Sequence, residues 1–311
     1  MDLEGVQPGR KVKCRFCGHQ FVPPLSEVAK PPIRESSVEE LAEAAEAAKA
    51  VPIKKKWWGD FISPATRMRV VFVAGVILLV LSLVSICSDY LQLDFLKRAG
   101  MAVTLMEEEE AKNPEITKDE LWEKVEAEGL VVTEEDGQAN DDRQRIVGWS
   151  YFAGFMAFFV AFLVWEYRAY KNLPPLQAEQ IRFTPAGAVA WYFCPIANLW
   201  QPCKAMNDIW HGSDPGKLGI VPKAGSSFVL LWWLVQIVEG GIGQVSFRIS
   251  GTGETIQGFV METHVSIGST VVGLISAVMT LAIVRFVSQR QAVRWGELSR
   301  QQAYTRQNGK D

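Results

Sequence analysis

The sequence predicts an all-α, polytopic membrane helical bundle. It has four spans, one proline-broken element that re-enters the bilayer or lies at its interface, and a small zinc-knuckle-like segment at the N-terminus. Three observations carry this reading. Asp, Glu, Lys and Arg are absent from 70–88, 146–165, 183–203 and 265–284, and 224–247 holds only Glu239. Apolar runs of this length match the helix needed to cross hydrocarbon. Charge is also sorted by segment: 1–69 carry 12 Lys/Arg against 9 Asp/Glu, whereas 89–146 carry 7 against 17. Finally, 183–203 contains Pro185, Pro195 and Pro202. The net charge of −3 over 311 residues and the 48% apolar composition average over this pattern. The pattern itself excludes a soluble enzyme, a disordered chain and a protein with one basic nucleic-acid-binding face.

The N-terminus is polar for more than 50 residues, so no cleavable signal peptide is expected before the first span. Residues 1–24 read as the knuckle-like segment, built on Gly9-Arg-Lys-Val-Lys-Cys14-Arg-Phe-Cys17-Gly18-His19-Gln-Phe21-Val-Pro23. A Cys-x-x-Cys-Gly turn lets two thiolates grip one zinc while backbone N–H groups steady the sulfurs. The segment resembles the second half of a short bacterial zinc-ribbon module. That family places a first Cys-x-x-Cys about a dozen residues upstream, and residues 1–13 hold no cysteine. Since a structural zinc site takes four ligands, Cys14 and Cys17 supply half of one. Zinc completed by a second protomer or a partner, an unmetallated knuckle, and thiol redox chemistry all stand as readings. With five cysteines, three in or beside apolar runs, no disulfide framework is expected.

A linker over 25–66 follows, with a short Ala/Glu helix within 36–50 between Pro23-Pro24/Pro31-Pro32 and a basic-aromatic stretch, Lys54-Lys55-Lys56-Trp57-Trp58. Lys/Arg beside a span marks the cytoplasmic side and Trp the headgroup level, so the N-terminus is expected inside. The first span is 70–88 and the second 146–165. The acidic segment between them falls outside as a small helical hairpin. Its second helix is opened by the capping box Thr117-Lys-Asp-Glu120 and closed at Gly129. Counting 183–203 as a span would put the C-terminal cations Arg285, Arg290, Arg294, Arg300, Arg306 and Lys310 outside. Proline also strips helix donors. Four spans, the last two being 224–247 and 265–284, instead place both termini and the basic tail (292–311) in the cytoplasm.

The stretch Phe183-Thr-Pro185-Ala-Gly187-Ala-Val-Ala-Trp191-Tyr-Phe-Cys-Pro195-Ile-Ala-Asn198-Leu-Trp200-Gln-Pro202, then Trp210 and Trp232-Trp233, resembles a bacterial membrane family. It is the one described as domain of unknown function 4328, and the resemblance extends over about 70–291. It implies an integral membrane domain in a bacterial inner membrane and no established activity, so no catalytic residues are carried over.

Candidate site residues follow from exceptions to the apolar pattern. Asn198 and Gln201 can satisfy carbonyls freed by proline, or contact a ligand. Glu239 is the only charge inside a span, with Gln236 one turn before it; Arg248 offers a partner nearby. His211 and His264 are lone and at span edges. No His-Glu-x-x-His, Gly-x-Ser-x-Gly or P-loop motif occurs, so no enzyme is expected. The expected partners are the bilayer and, through the N-terminal arm, a protein partner or second copy, with no nucleic acid. The leading functional expectation is a scaffold, assembly or sensing protein. The alternative is a small transporter or channel using the 183–203 element and Glu239.

Overall fold

In the computed structural model the chain divides into two compact units, Met1–Trp57 and Trp58–Asp311. The structure describes residues 60–215, 227–249 and 255–308, together with the backbone of 12–13 and 20–21. In the first unit Val12–Lys13 (β1) and Gln20–Phe21 (β2) form an antiparallel ladder, Val12 opposite Phe21. Cys14, Cys17 and the Ala/Glu helix expected within 36–50 lie outside the described residues.

Among its described residues the second unit has helices and no strand: α1 (Ala65–Lys112), α2 (Lys118–Ala127), α3 (Glu134–Lys171), α4 (Pro185–Ala190), α5 (Gln201–Gly212), α6 (Ser227–Ile249) and α7 (Ile256–Asn308). Four of these, α1, α3, α6 and α7, are long and apolar enough to cross a membrane. Residues 183–203 add no fifth. They fold as α4, two 3-10 turns (Trp191–Phe193 and Ala197–Leu199) and the start of α5. The six residues of α4 reach only about 9 Å. The end of α3 and the start of α6 therefore lie on one side of the bundle.

Three spanning helices outrun their uncharged stretches. On α3, charge stops at Arg145 and resumes at Glu166, leaving about 30 Å of uncharged helix. The helix itself starts earlier, at a capping box in which Thr133 Oγ1 accepts from the Asp136 amide and Asp136 accepts from that of Thr133. Past the apolar run, α1 continues to Lys112 and meets α2. The predicted box at Thr117/Glu120 opens α2, and Gly129 closes it at φ +67°. There the Leu130 amide donates to Val125 O and the Gly129 amide to Glu126 O, satisfying carbonyls the helix end would leave orphaned. Likewise α7 runs through the expected tail.

Lipid tails are as apolar as leucine, so close packing and buried hydrogen bonds must hold such a bundle together. Both are present. Gly75 of α1 lets Leu281 of α7 and Phe158 of α3 come close: a Cβ there would sit 2.8 Å and 3.1 Å from them. At the acidic-segment end, Arg143 Nε donates to Ser88 Oγ (3.2 Å) and Ser266 Oγ to Asp89 Oδ2 (2.9 Å). At the other end, fully buried Gln291 accepts from Asn172 Nδ2 (3.0 Å) and donates to Ala169 O (2.9 Å) and Ser213 Oγ (3.1 Å). Arg294 reaches Asp214 O and Gln177 O (both 3.0 Å), and Trp295 stacks on Phe61 at 4.8 Å. Between the two polar belts, Val73, Val80, Val160, Leu230 and Val278 point outward. A continuous apolar exterior of this kind is a liability in water and is the solvated surface in lipid.

Candidate functional site

The spanning helices pair as α3 on α1, α1 on α7 and α7 on α6. This leaves α3 and α6 flanking a cavity of about 430 Å³. Each wall is one face of a helix. From α3 come Tyr151, Phe155, Phe158, Phe159 and Phe162, at positions i, i+4, i+7, i+8 and i+11 of one helix face. From α6 come Trp233, Gln236, Glu239, Gly240 and Gly243, and from α7 Ser269, Gly273, Ser276, Ala277 and Thr280. An aromatic wall thus faces a wall of small and polar residues. Leu78 of α1 completes the lining, and Tyr192 and Asn198 enter from the broken element.

Hydrogen bonds at two points fix that element. At its base Asp208 of α5, buried, accepts from Tyr170 Oη (3.0 Å), from the Arg182 amide (3.2 Å) and from the Arg182 guanidinium (2.9 and 2.7 Å). Tyr170 Oη in turn accepts from the Phe183 amide at 2.8 Å. Thr184 Oγ1 caps α4 by accepting from the Gly187 amide at 3.0 Å. At the tip, Trp233 Nε1 donates to Leu199 O at 2.9 Å. Between these points Tyr192 lies edge-on to Phe159, Phe162 and Trp233, with centroids 6.1, 6.1 and 6.2 Å away, and closes one end of the cavity. The neighbouring Trp232 donates instead to Thr280 Oγ1 (2.9 Å), joining α6 to α7.

Near the other end Glu239 sits beside Gly273. A Cβ on that glycine would stand 3.3 Å from both Glu239 Oε1 and Tyr151 Oη, so only glycine leaves them unhindered. Ser276 donates to Gln236 Oε1 and also faces the Glu239 carboxylate. Among the described residues no ion pair reaches Glu239, and Arg248 does not supply one. Nine positions along α6 put Arg248 on the opposite face and about 13 Å away along the axis. Behind Tyr192, the fully buried Glu166 carboxyl faces the Tyr192 hydroxyl.

Of the three candidates from sequence, Asn198 and Glu239 line one cavity. Gln201 instead begins α5, half-buried and away from it. The carbonyl in this stretch that a side-chain donor reaches belongs to Leu199, not to residue 191 or 198, and its donor is Trp233 rather than Asn198 or Gln201. Sequence reasoning passed over Tyr151, Ser276 and Thr280. Their signal was present as an aromatic stripe on one span and a Ser/Gly/Thr stripe on another. Outside the membrane, hydrogen bonds from Lys124 and Lys112 hold the Glu109 carboxyl down at about 2. The capping amides of Thr117 and Thr133 likewise hold Glu120 and Asp136 below the ordinary carboxylate range. Among the described residues no cluster of His, Cys, Asp and Glu suits a metal.

No curated protein and no solved structure matches the chain. Residues 128–289 match the family described as domain of unknown function (DUF4328). The matched region takes in α3, the broken element, α6 and the apolar part of α7. It begins later than the expected residue 70 and leaves α1 outside. The match spans just over half of the 311 residues, and the chain belongs to the DUF4328 family.

Proposed function

We propose that this multi-pass membrane protein is a non-enzymatic ligand-binding or sensing protein of the bacterial inner membrane. Its binding site is the cavity between α3 and α6. The observation that carries the reading is the cavity's makeup: about 430 Å³ of aromatic and small-residue wall, with Glu239 and Asn198 among the few polar groups inside it. Binding sites in general combine an apolar shell with a few convergent polar groups, and an ionisable residue in a span is a functional candidate by default. Gly243 lines the cavity with nothing within 4 Å of an added Cβ, so Gly243→Phe starts its side chain in open space and directs a ring into the cavity. Apolar small molecules should raise the melting temperature of the wild type in nanodiscs and leave Gly243→Phe unmoved. Stabilisation that survives the blocking substitution, or that no apolar compound produces, overturns the proposal.

The basic segments place both termini in the cytoplasm under this reading. The N-terminal arm, with Cys14 and Cys17 as half of a zinc site, would carry the signal to a protein partner or a second copy. Deleting residues 1–50 should leave insertion intact and abolish partner co-purification. An unchanged partner set counts against the arm's role. The second reading, a small transporter or channel, draws on Asn198 and Glu239 sharing one cavity. It predicts solute flux in proteoliposomes, and flux indifferent to Glu239→Gln and Asn198→Ala would remove it.

A further inference from the structure

We infer that the cavity's ligand is a lipophilic ammonium ion, its charge held at Glu239 and its apolar body laid against the aromatic face of α3. The inference rests on the cavity being a binding site and adds the class of molecule.

Charge complementarity comes first. Glu239 is the one carboxylate among the described lining residues, and no Lys, Arg or His lines the cavity with it. No ion pair reaches it among the described residues. A carboxylate at this depth is costly without a partner. The nearby hydroxyls of Ser276 and Tyr151 can hydrogen-bond the carboxylate but bring no positive charge. The protein therefore offers a negative group and leaves its countercharge to be supplied from outside.

The aromatic part of the lining selects for the same sign. The ring faces of Phe155, Phe159, Tyr192 and Trp233 carry negative quadrupole density, which attracts a cation within about 6 Å and disfavours an anion. Phe155 and Phe159 lie parallel, centroids 6.2 Å apart, and present a continuous apolar surface along α3. An alkyl or aryl chain can lie along that surface while its charged end reaches Glu239 beside Gly273. Glycine at 273 keeps the carboxylate clear, since any Cβ there would crowd Oε1. The gap between α3 and α6 gives such an amphiphile a way in from the lipid, where it partitions first.

The test uses three probes with one chain length: octylammonium, octan-1-ol and octanoate. Their binding to the full chain in nanodiscs is measured by equilibrium dialysis, with empty nanodiscs subtracted. The inference predicts that octylammonium binds about tenfold or more tightly than octan-1-ol, and octanoate most weakly. In Glu239→Gln, ammonium should fall to the level of the alcohol. Thermal melting serves to check that this isosteric variant is folded. In Gly243→Phe all three should be lost. Equal binding of ammonium and alcohol to the wild type, or a preference that survives Glu239→Gln, overturns the inference while leaving the cavity as an apolar site. Binding of all three probes that also survives Gly243→Phe overturns the cavity reading itself.

Discussion

Replacing Trp233 with phenylalanine removes one N–H and keeps most of the aromatic surface. In the native structure that N–H donates to Leu199 O at 2.9 Å, at the tip of the broken element. No other donor to this carbonyl exists among the described residues. Loss of a part-buried hydrogen bond that leaves its acceptor unpaired costs about 1–2 kcal/mol. That corresponds to about a 5- to 30-fold rise in the population in which the tip has come away from α6. Hydrogen exchange read by mass spectrometry in nanodiscs reports it directly. The Asn198 and Trp200 amides, bonded to Cys194 O (2.7 Å) and Ala197 O (3.2 Å), should exchange faster by that factor. The adjacent Trp232→Phe is the control, because that indole serves Thr280 Oγ1 across the α6–α7 contact. It should lower global stability by a similar amount without a selective effect on 194–200. Unchanged exchange in Trp233→Phe, or an equal local effect from Trp232→Phe, would refute the anchoring argument.

Gln291→Ala removes three buried hydrogen bonds joining α3, Ser213 and α7. It should destabilise the bundle by about 3 kcal/mol in a reversible SDS titration. Glu166→Met replaces a fully buried carboxyl, which faces only the Tyr192 hydroxyl and has no ion pair among the described residues, with an apolar side chain of similar volume. It should be neutral or stabilising by about 1–3 kcal/mol in the same titration, and a clear loss contradicts that reading. Acid should loosen the outer helices. Glu109, Glu120 and Asp136 are all held below their ordinary values, so their stabilisation is complete above the carboxylate range and fades as pH falls. Protection factors over 117–130, corrected for the intrinsic pH dependence of amide exchange, should therefore fall between about pH 4.5 and about pH 2 and stay flat above about pH 5. Gly75→Leu forces a side chain into Leu281 and the Phe158 ring and should cost about 1–3 kcal/mol or more in melting temperature measurements.

Charge spacing made the membrane architecture legible. The bilayer imposes the length of each uncharged run, and proline explains why 183–203 breaks rather than spans. Helix ends were less legible, because hydrocarbon thickness limits the apolar run and not the helix. The α3 start is marked only by Thr133 and Asp136, and nothing in the sequence interrupts α7 after Val284. Within the site, Glu239 and Asn198 stood out singly as polar exceptions in apolar stretches. That they line one cavity depends on Trp233 reaching Leu199 and on Tyr192 inserting between α3 and α6, tertiary contacts that leave no periodic trace. The aromatic stripe from Tyr151 to Phe162 was visible, but in a span the same spacing serves equally for facing lipid or packing on a neighbour. The expected help from Arg248 failed on geometry, since the two residues occupy opposite faces of α6.

The central claim is that the space between α3 and α6 is a ligand site and not a packing gap. Photolabelling with a diazirine-bearing octylamine in nanodiscs, with adducts mapped by mass spectrometry, tests it most directly. Adducts should concentrate on Phe155, Phe159, Trp233 and Glu239, saturate with dose, and disappear in Gly243→Phe. Adducts spread over the outward-facing Val73, Val160, Leu230 and Val278, unsaturable and indifferent to Gly243→Phe, would contradict the claim.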